Sequence, residues 1–202
     1  MIIKTGTQRS LLAISMLALS TTVLSKEISY DFIQGTYSSI TDSSLGVDID
    51  GSGFAISGSV SISPSVAFTA LYGDVNYDRF PGVEADATEM GFGITAHTSI
   101  AQNTDVLGYF SVINVEVEVS NSFASISDDD TGHSIGIGLR HMATDNVEID
   151  IAFTQADIFD DTGNQIGLGA RFYANDKLSF GVGYGMEDDV DALLLNIRAE
   201  FK

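Results

Sequence analysis

Imidazole titrates nearer neutral pH than any other side chain, so general acid–base or metal chemistry would start at the three histidines. They stand at His97, His133 and His141. A nucleophile and its base must lie within hydrogen-bond reach. His133 and Ser134 are adjacent, so in an extended chain they point to opposite faces and supply no such pair. Gly91-Phe92-Gly93, Gly136-Ile137-Gly138 and Gly167-Leu168-Gly169 suggest phosphate cradles. None completes Gly-x-Gly-x-x-Gly and none opens a helical pattern. Asp48-Ile49-Asp50-Gly51 has the look of a calcium loop but lacks the EF-hand spacing and its closing Glu. There is no cysteine, hence no thiol chemistry and no disulfide framework. These residues yield no catalytic, cofactor-binding or metal-ligating set, and no cofactor is expected.

The elements that must position any polar group are strands. Beyond residue 25 no run approaches the roughly 20 apolar residues of a spanning helix, and helical periodicity is absent. Period-two alternation recurs instead, in segments of about ten residues. In Gly53–Ile62, Phe54, Ile56, Val60 and Ile62 point one way while Gly53, Ala55, Ser57, Ser59 and Ser61 point the other. Ten such segments lie near 29–41, 51–62, 66–76, 86–99, 105–119, 132–143, 147–157, 164–173, 177–186 and 191–201. The connections 63–65, 100–104, 144–146 and 174–176 are short and carry turn residues such as Asp145-Asn146 and Asn175-Asp176. Those at 42–50, 77–85, 120–131, 158–163 and 187–190 are mostly longer. This pattern predicts an all-β, up-and-down antiparallel transmembrane β-barrel of ten strands, with eight as the alternative count. An even count lets the first strand pair with the last, leaving no open edge in lipid.

One face of the segments is apolar, including Phe54, Ile56, Phe68, Phe92, Ile137, Ile151, Leu168, Phe180, Leu195 and Ile197, and is expected to meet lipid. The other holds Gly, Ser and Thr together with charge. Glu89, Glu116, Arg140, Glu148, Asp150, Arg171, Arg198 and Glu200 fall on it, with His97, Asn114 and Asn196. Charges kept from bulk water need partners, which makes these eight residues a candidate salt-bridge network in the lumen. If 158–163 closes symmetrically, Asp150 stands almost opposite Arg171. The alternative is a narrow polar conduit, with space left by inward glycines such as Gly136, Gly138, Gly169 and Gly181. The same glycines would equally relieve strand curvature. Segment 105–119 carries apolar residues on both faces, so its orientation is ambiguous.

The chain carries 28 acidic against nine basic residues, a net charge of −19. All the acids lie beyond residue 25. Nucleic-acid binding requires phosphate neutralisation by Lys and Arg, so it is excluded. The longer connections hold many of the carboxylates, Asp128-Asp129-Asp130 among them, with Arg79 as their single base. Such a surface stays solvated and self-repelling, and it also suits cation attraction or divalent bridging to lipopolysaccharide. Residues 1–25 begin with Lys4 and Arg9, continue through the short apolar run Leu11–Leu24 and end on Ser25. That order reads as a cleavable signal peptide, leaving 26–202 as one barrel domain exported through the periplasm.

The first strand Tyr30-Asp31-Phe32-Ile33-Gln34-Gly35-Thr36-Tyr37, the repeated Gly-apolar-Gly strands and the ending Leu193-x-Leu195-x-Ile197-x-Ala199-x-Phe201 carry a family likeness. The chain resembles the small outer-membrane β-barrels of the OmpA transmembrane-domain and opacity-protein type. The ending resembles that family's assembly signal, although Lys202 follows Phe201. The resemblance implies residence in the cell outer membrane and insertion by the barrel-assembly machinery. Outer-membrane lipids and lipopolysaccharide are the expected partners, and a monomer the expected state. The rim Asp-x-His element of barrel proteases is missing at all three histidines. So is the His-x-Ser-Asn of barrel deacylases. The leading expectation is a non-enzymatic structural or surface-interacting barrel. A narrow cation-favouring porin-like channel and a rim-active hydrolase are the other readings.

Overall fold

The computed structural model describes residues 29–43, 46, 48–80 and 83–201, so the signal-peptide reading lies outside the described residues. Ten strands occur among them: β1 Phe32–Asp42, β2 Ile49–Ser63, β3 Val66–Phe80, β4 Val83–Ala101, β5 Thr104–Asn121, β6 Ser125–Thr144, β7 Val147–Ile158, β8 Asp161–Tyr173, β9 Leu178–Glu187 and β10 Val190–Glu200. Each pairs antiparallel with its sequence neighbours, and β1 closes onto β10 from Phe32↔Glu200 to Asp42↔Val190. Closure leaves no unpaired edge through the belt of the barrel, as lipid requires. Alternation sets the faces. Phe54, Ile56, Phe92, Ile137, Ile151, Leu195 and Ile197 project outward and lie about half exposed. A continuous apolar belt of that kind would be untenable in water and is what hydrocarbon accommodates.

The short turns meet the expected positions, and three of them follow a bulge. The register shifts between Ser61 and Ser63, between Ser99 and Ala101, and between Met142 and Thr144. One extra residue per hairpin twists the strand into its turn.

The opposite rim departs from expectation. Most of the span 120–131 is strand, with only 122–124 left as the turn. The spans 158–163 and 187–190 reduce to the two-residue turns Phe159-Asp160 and Asp188-Asp189, in which Phe159, Asp160 and Asp188 adopt positive φ. Tight hairpins favour such left-handed turns because their twist matches that of the strands. The reason for the longer strands is on β5, where Val115, Val117 and Val119 alternate with Glu116, Glu118 and Ser120. The pleat continues past the belt because one face still has apolar surface to bury. β4, β5 and β6 run 19, 18 and 20 residues, against 10 and 11 for β9 and β10. A membrane-crossing strand needs about 9–11 residues. One side of the barrel therefore carries a sheet projecting roughly eight to ten residues beyond the belt, about 26–33 Å of strand.

The lumen is filled in two layers. Towards the projecting rim, Ile40, Ile49, Val75, Tyr77, Ile113, Val115, Ile158 and Val190 form one buried cluster with Ala85, Ala87, Ala156 and Ala192. Towards the short-turn rim the interior is polar and charged, with Gln34, Asp105, Arg140, Glu148, Arg171 and Arg198 all buried.

Candidate functional site

The charged layer is built by register. Glu148 on β7 lies directly across from Arg171 on β8, and Arg171 in turn from Gly181 on β9. Gly181 pairs with Asn196 on β10, and Asn196 with Thr36 on β1. The glycine matters here: a Cβ at 181 would stand 2.5 Å from Asn196 Oδ1. Its absence lets Arg171 reach across β9. Arg171 donates from Nη2 to Asn196 Oδ1 at 2.8 Å and to Gln34 Oε1 at 3.0 Å, and from Nη1 to Ser179 Oγ at 3.1 Å. Arg198 donates to the same Gln34 oxygen from Nε at 3.1 Å and Nη2 at 2.9 Å. Its guanidinium also lies 3.8 Å from the Phe32 ring centre, a cation–π contact. Gln34 is thus a neutral acceptor shared by two cations, and it ties β8 and β10 to β1 across the closing seam. On the far side, Arg140 is ion-paired with Glu148, and Tyr173 Oη donates to Glu148 Oε2 at 2.8 Å.

At two of the inward glycines a neighbouring side chain takes up the space that a Cβ would fill. A Cβ on Gly136 would collide with the Tyr109 ring, and one on Gly169 with the Asp150 carboxylate. Tyr109 Oη is hydrogen-bonded to Thr154 Oγ1. Between Gln34, Asp150, Arg171 and Asn196 there remains a cavity of about 20 Å³, room for a single water.

The predicted network residues divide. Arg140, Glu148, Asp150, Arg171, Arg198 and Glu200 all face the charged layer. The pairing of Asp150 with Arg171 is corrected. The two-residue turn Phe159-Asp160 sets β7 against β8 so that Glu148 meets Arg171 and Asp150 meets Gly169. Asp150 instead lies across from Arg140. Glu89 is buried and inward on β4, between Gly73 and Val115, on another part of the wall. Glu116 is a correction: it faces outward and is exposed, with Asn114 on the same face. The inner face of β5 is Leu107, Tyr109, Ile113 and Val115, because half of this lumen is apolar; Phe110 and Val112 therefore join the outer belt. Composition could not indicate that orientation. Gln34, Asp105 and Tyr173 were missed. Asp105 is buried directly across from Arg140. Its parity with Leu107 and Tyr109 was the available signal.

The histidines stay apart. His97 faces inward and stacks on Tyr30 at 3.5 Å between ring centres. His133 Nε2 lies 3.3 Å from Asp157 Oδ2 on the outer surface, while Ser134 is buried inside. His141 Nδ1 is 3.0 Å from Thr104 Oγ1 at the short-turn end. Among the described residues no three His, Asp or Glu side chains converge as a metal site. Asp48 and Asp50 accept hydrogen bonds from the hydroxyls of Ser43 and Thr41 where β2 begins.

The projecting sheet is acidic on its outer face. Asp86 lies between Asn76 and Glu118, and Glu116 between Thr88 and Asp129. Its tip is apolar: Phe123 is 97% exposed and Ile126 75%. Among the described residues β6 there has no second neighbour, because pairing with β7 begins only at His133↔Asp157. Asp130 caps that junction, accepting from Phe159 N at 2.5 Å and Thr131 N at 2.8 Å.

A closed barrel with a lipid-fit belt, short turns on one rim and strand-built projections on the other is an outer-membrane barrel. The chain belongs to the outer membrane protein beta-barrel domain family, whose model matches residues 10–185. It is an outer-membrane protein. No curated protein matches it in sequence. Among solved structures, the translocator domain of the autotransporter NalP from Neisseria meningitidis superposes with a TM-score of 0.54 at 11% identity, covering 96% of this chain and 94% of that one. The transport unit of the autotransporter AIDA-I from Escherichia coli gives 0.53 at 10% identity, with the same coverage. Neisserial surface protein A gives 0.50 at 13% identity, covering 86% of this chain and 98% of that one. These likenesses are of fold alone.

Proposed function

We propose that the protein is a sealed, non-enzymatic outer-membrane barrel that holds an acidic sheet above the cell surface for structural or interaction purposes. The observation that carries this reading is the apolar cluster of Ile40, Ile49, Val75, Ile113, Ile158 and Val190 across the extracellular half of the lumen. An ion crossing that layer would meet close-packed side chains, among which the inward carboxylates Asp42, Glu89 and Glu187 are themselves buried. The arginine layer beneath it is held by Gln34, Glu148 and Asn196 rather than by open solvent. The histidines are dispersed, and the Thr104–His141 contact lies exposed at the short-turn end rather than in a cleft, which favours a non-enzymatic role over rim hydrolysis. The outward carboxylates Asp86, Glu116 and Glu118 sit above the belt, where divalent cations would bridge them to lipopolysaccharide phosphates. The barrel acts as a monomer in this reading and reaches the membrane through the barrel-assembly machinery. Single-channel recording in planar bilayers tests it. The expected trace is flat, and steady salt-dependent conductance would replace this reading with that of a cation-favouring channel.

A further inference from the structure

We propose that the free edge of β6, Ser125–Asp129, is a strand-addition site for an extended cationic polypeptide segment. Asn121 N donates to Ala124 O at 2.9 Å across the hairpin turn. Antiparallel pairs alternate between bonded and non-bonded, so Ile126, Asp128 and Asp130 direct their backbone groups towards β5. Asn114 Nδ2 on β5 reaches Asp130 O at 3.1 Å, in agreement. Ser125, Ser127 and Asp129 therefore direct N–H and C=O away from β5, to the side where no described strand pairs with them. All three are exposed, as are Ile126 and Asp128. An edge of this kind is a template for another strand, bound by main-chain hydrogen bonds and selected by alternate side chains.

The side chains define the occupant. On the outer face an added strand would lie beside Ser127 and Asp129, with Glu116 and Glu118 one strand further in. Lysine or arginine fits there. On the inner face it would lie beside Ile126, three-quarters exposed with Phe123 near the tip, where an apolar residue fits, and beside the exposed Asp128. A second copy of this edge is disfavoured, because it would crowd the Asp128-Asp129-Asp130 carboxylates of two chains into one short strand pair. The occupant is a stretch of about five residues alternating cationic and apolar side chains.

The site deepens the display role proposed above and rests on it. The test uses the whole barrel in nanodiscs and three synthetic heptapeptides. One alternates Lys and Val, one alternates Glu and Val, and the third is the Lys–Val peptide with alternate backbone amides methylated. Binding is followed by fluorescence anisotropy and by amide shifts of Ser125, Ser127 and Asp129. The Lys–Val peptide should bind and perturb those three amides. The Glu–Val peptide should not bind, and methylation should weaken binding at least tenfold. Ser127→Pro removes an edge N–H that serves no pair in the barrel, a position where proline is tolerated. It should keep heat-modifiable gel mobility while losing at least tenfold in affinity. Absence of Lys–Val binding, equal binding of the methylated peptide, or concentration-dependent self-association in place of capture would overturn the proposal. The methylation arm needs no variant to fold. A conducting barrel that still captures the peptide by its edge would overturn only the sealed reading, so the two failures are distinguishable.

Discussion

Replacing Gln34 by Leu removes the one oxygen that accepts from both Arg171 and Arg198. Three hydrogen bonds end there, at 3.0, 3.1 and 2.9 Å. A bond to a charged group is worth about 1.5–3 kcal/mol. Arg171 keeps Ser179 and Asn196, and Arg198 keeps the Phe32 face. Because the three bonds share one acceptor they do not add, and the net loss should be about 2–4 kcal/mol. At a urea slope of about 2 kcal/mol/M the midpoint falls by roughly 1–2 M. Unfolding in micelles, followed by circular dichroism and by the mobility of unheated samples on gels, measures this. Gln34→Glu should hold the wild-type midpoint, since a carboxylate accepts from guanidinium more strongly than an amide. Equal losses from Leu and Glu, or an unchanged midpoint for Leu, would refute the shared-acceptor account and leave Gln34 as mere filling.

Ile137→Arg should block assembly, because a lipid-facing arginine near the midplane costs about 2–4 kcal/mol; the heat-modifiable fraction in membranes reports it, against Ile137→Ala as the mild control. Gly136→Ala should cost about 1–3 kcal/mol by overpacking against Tyr109, and Tyr109→Leu in the same chain should recover part of that loss in the unfolding midpoint. Cysteine at Ser122 should react with a membrane-impermeant thiol reagent on intact cells, while cysteine at Asn175 should react only after the outer membrane is permeabilised. The reverse labelling pattern would invert the barrel.

The ten strands were legible because two requirements coincide on each segment: the pleat imposes period two, and lipid demands that one parity be apolar. Phe54, Ile137 and Leu195 needed no other information. Arg140, Arg171 and Arg198 also stood out as inward, since each follows an apolar outward neighbour near a short turn. Four things escaped. The rule that a lumen is polar misdirected β5, where Val115 and Ile113 face inward and Glu116 outward. Acidic runs were read as loops, although Val117 and Val119 behind Glu118 still had a surface to cover. The partner of Arg171 depended on whether the β7–β8 turn held two residues or more, a matter of two φ angles at Phe159 and Asp160 that side-chain pattern does not encode. Gln34 escaped for a simpler reason: it carries no charge, and its role exists only once β1 lies against β10.

The closing seam has a consequence for chain order. β1 begins and β10 ends on one rim, and Phe201 N donates to Asp31 O at 3.1 Å. The backbone is thus almost a ring, and a short linker from 201 to 29 would complete it. A circular permutant cut at Phe123 would keep every strand neighbour while moving Val190–Glu200 from last place to the middle of the chain. Its refolding in detergent would depend on the ring alone. Comparing that refolding with its insertion in cells separates what the folded barrel requires from what the order of synthesis contributes.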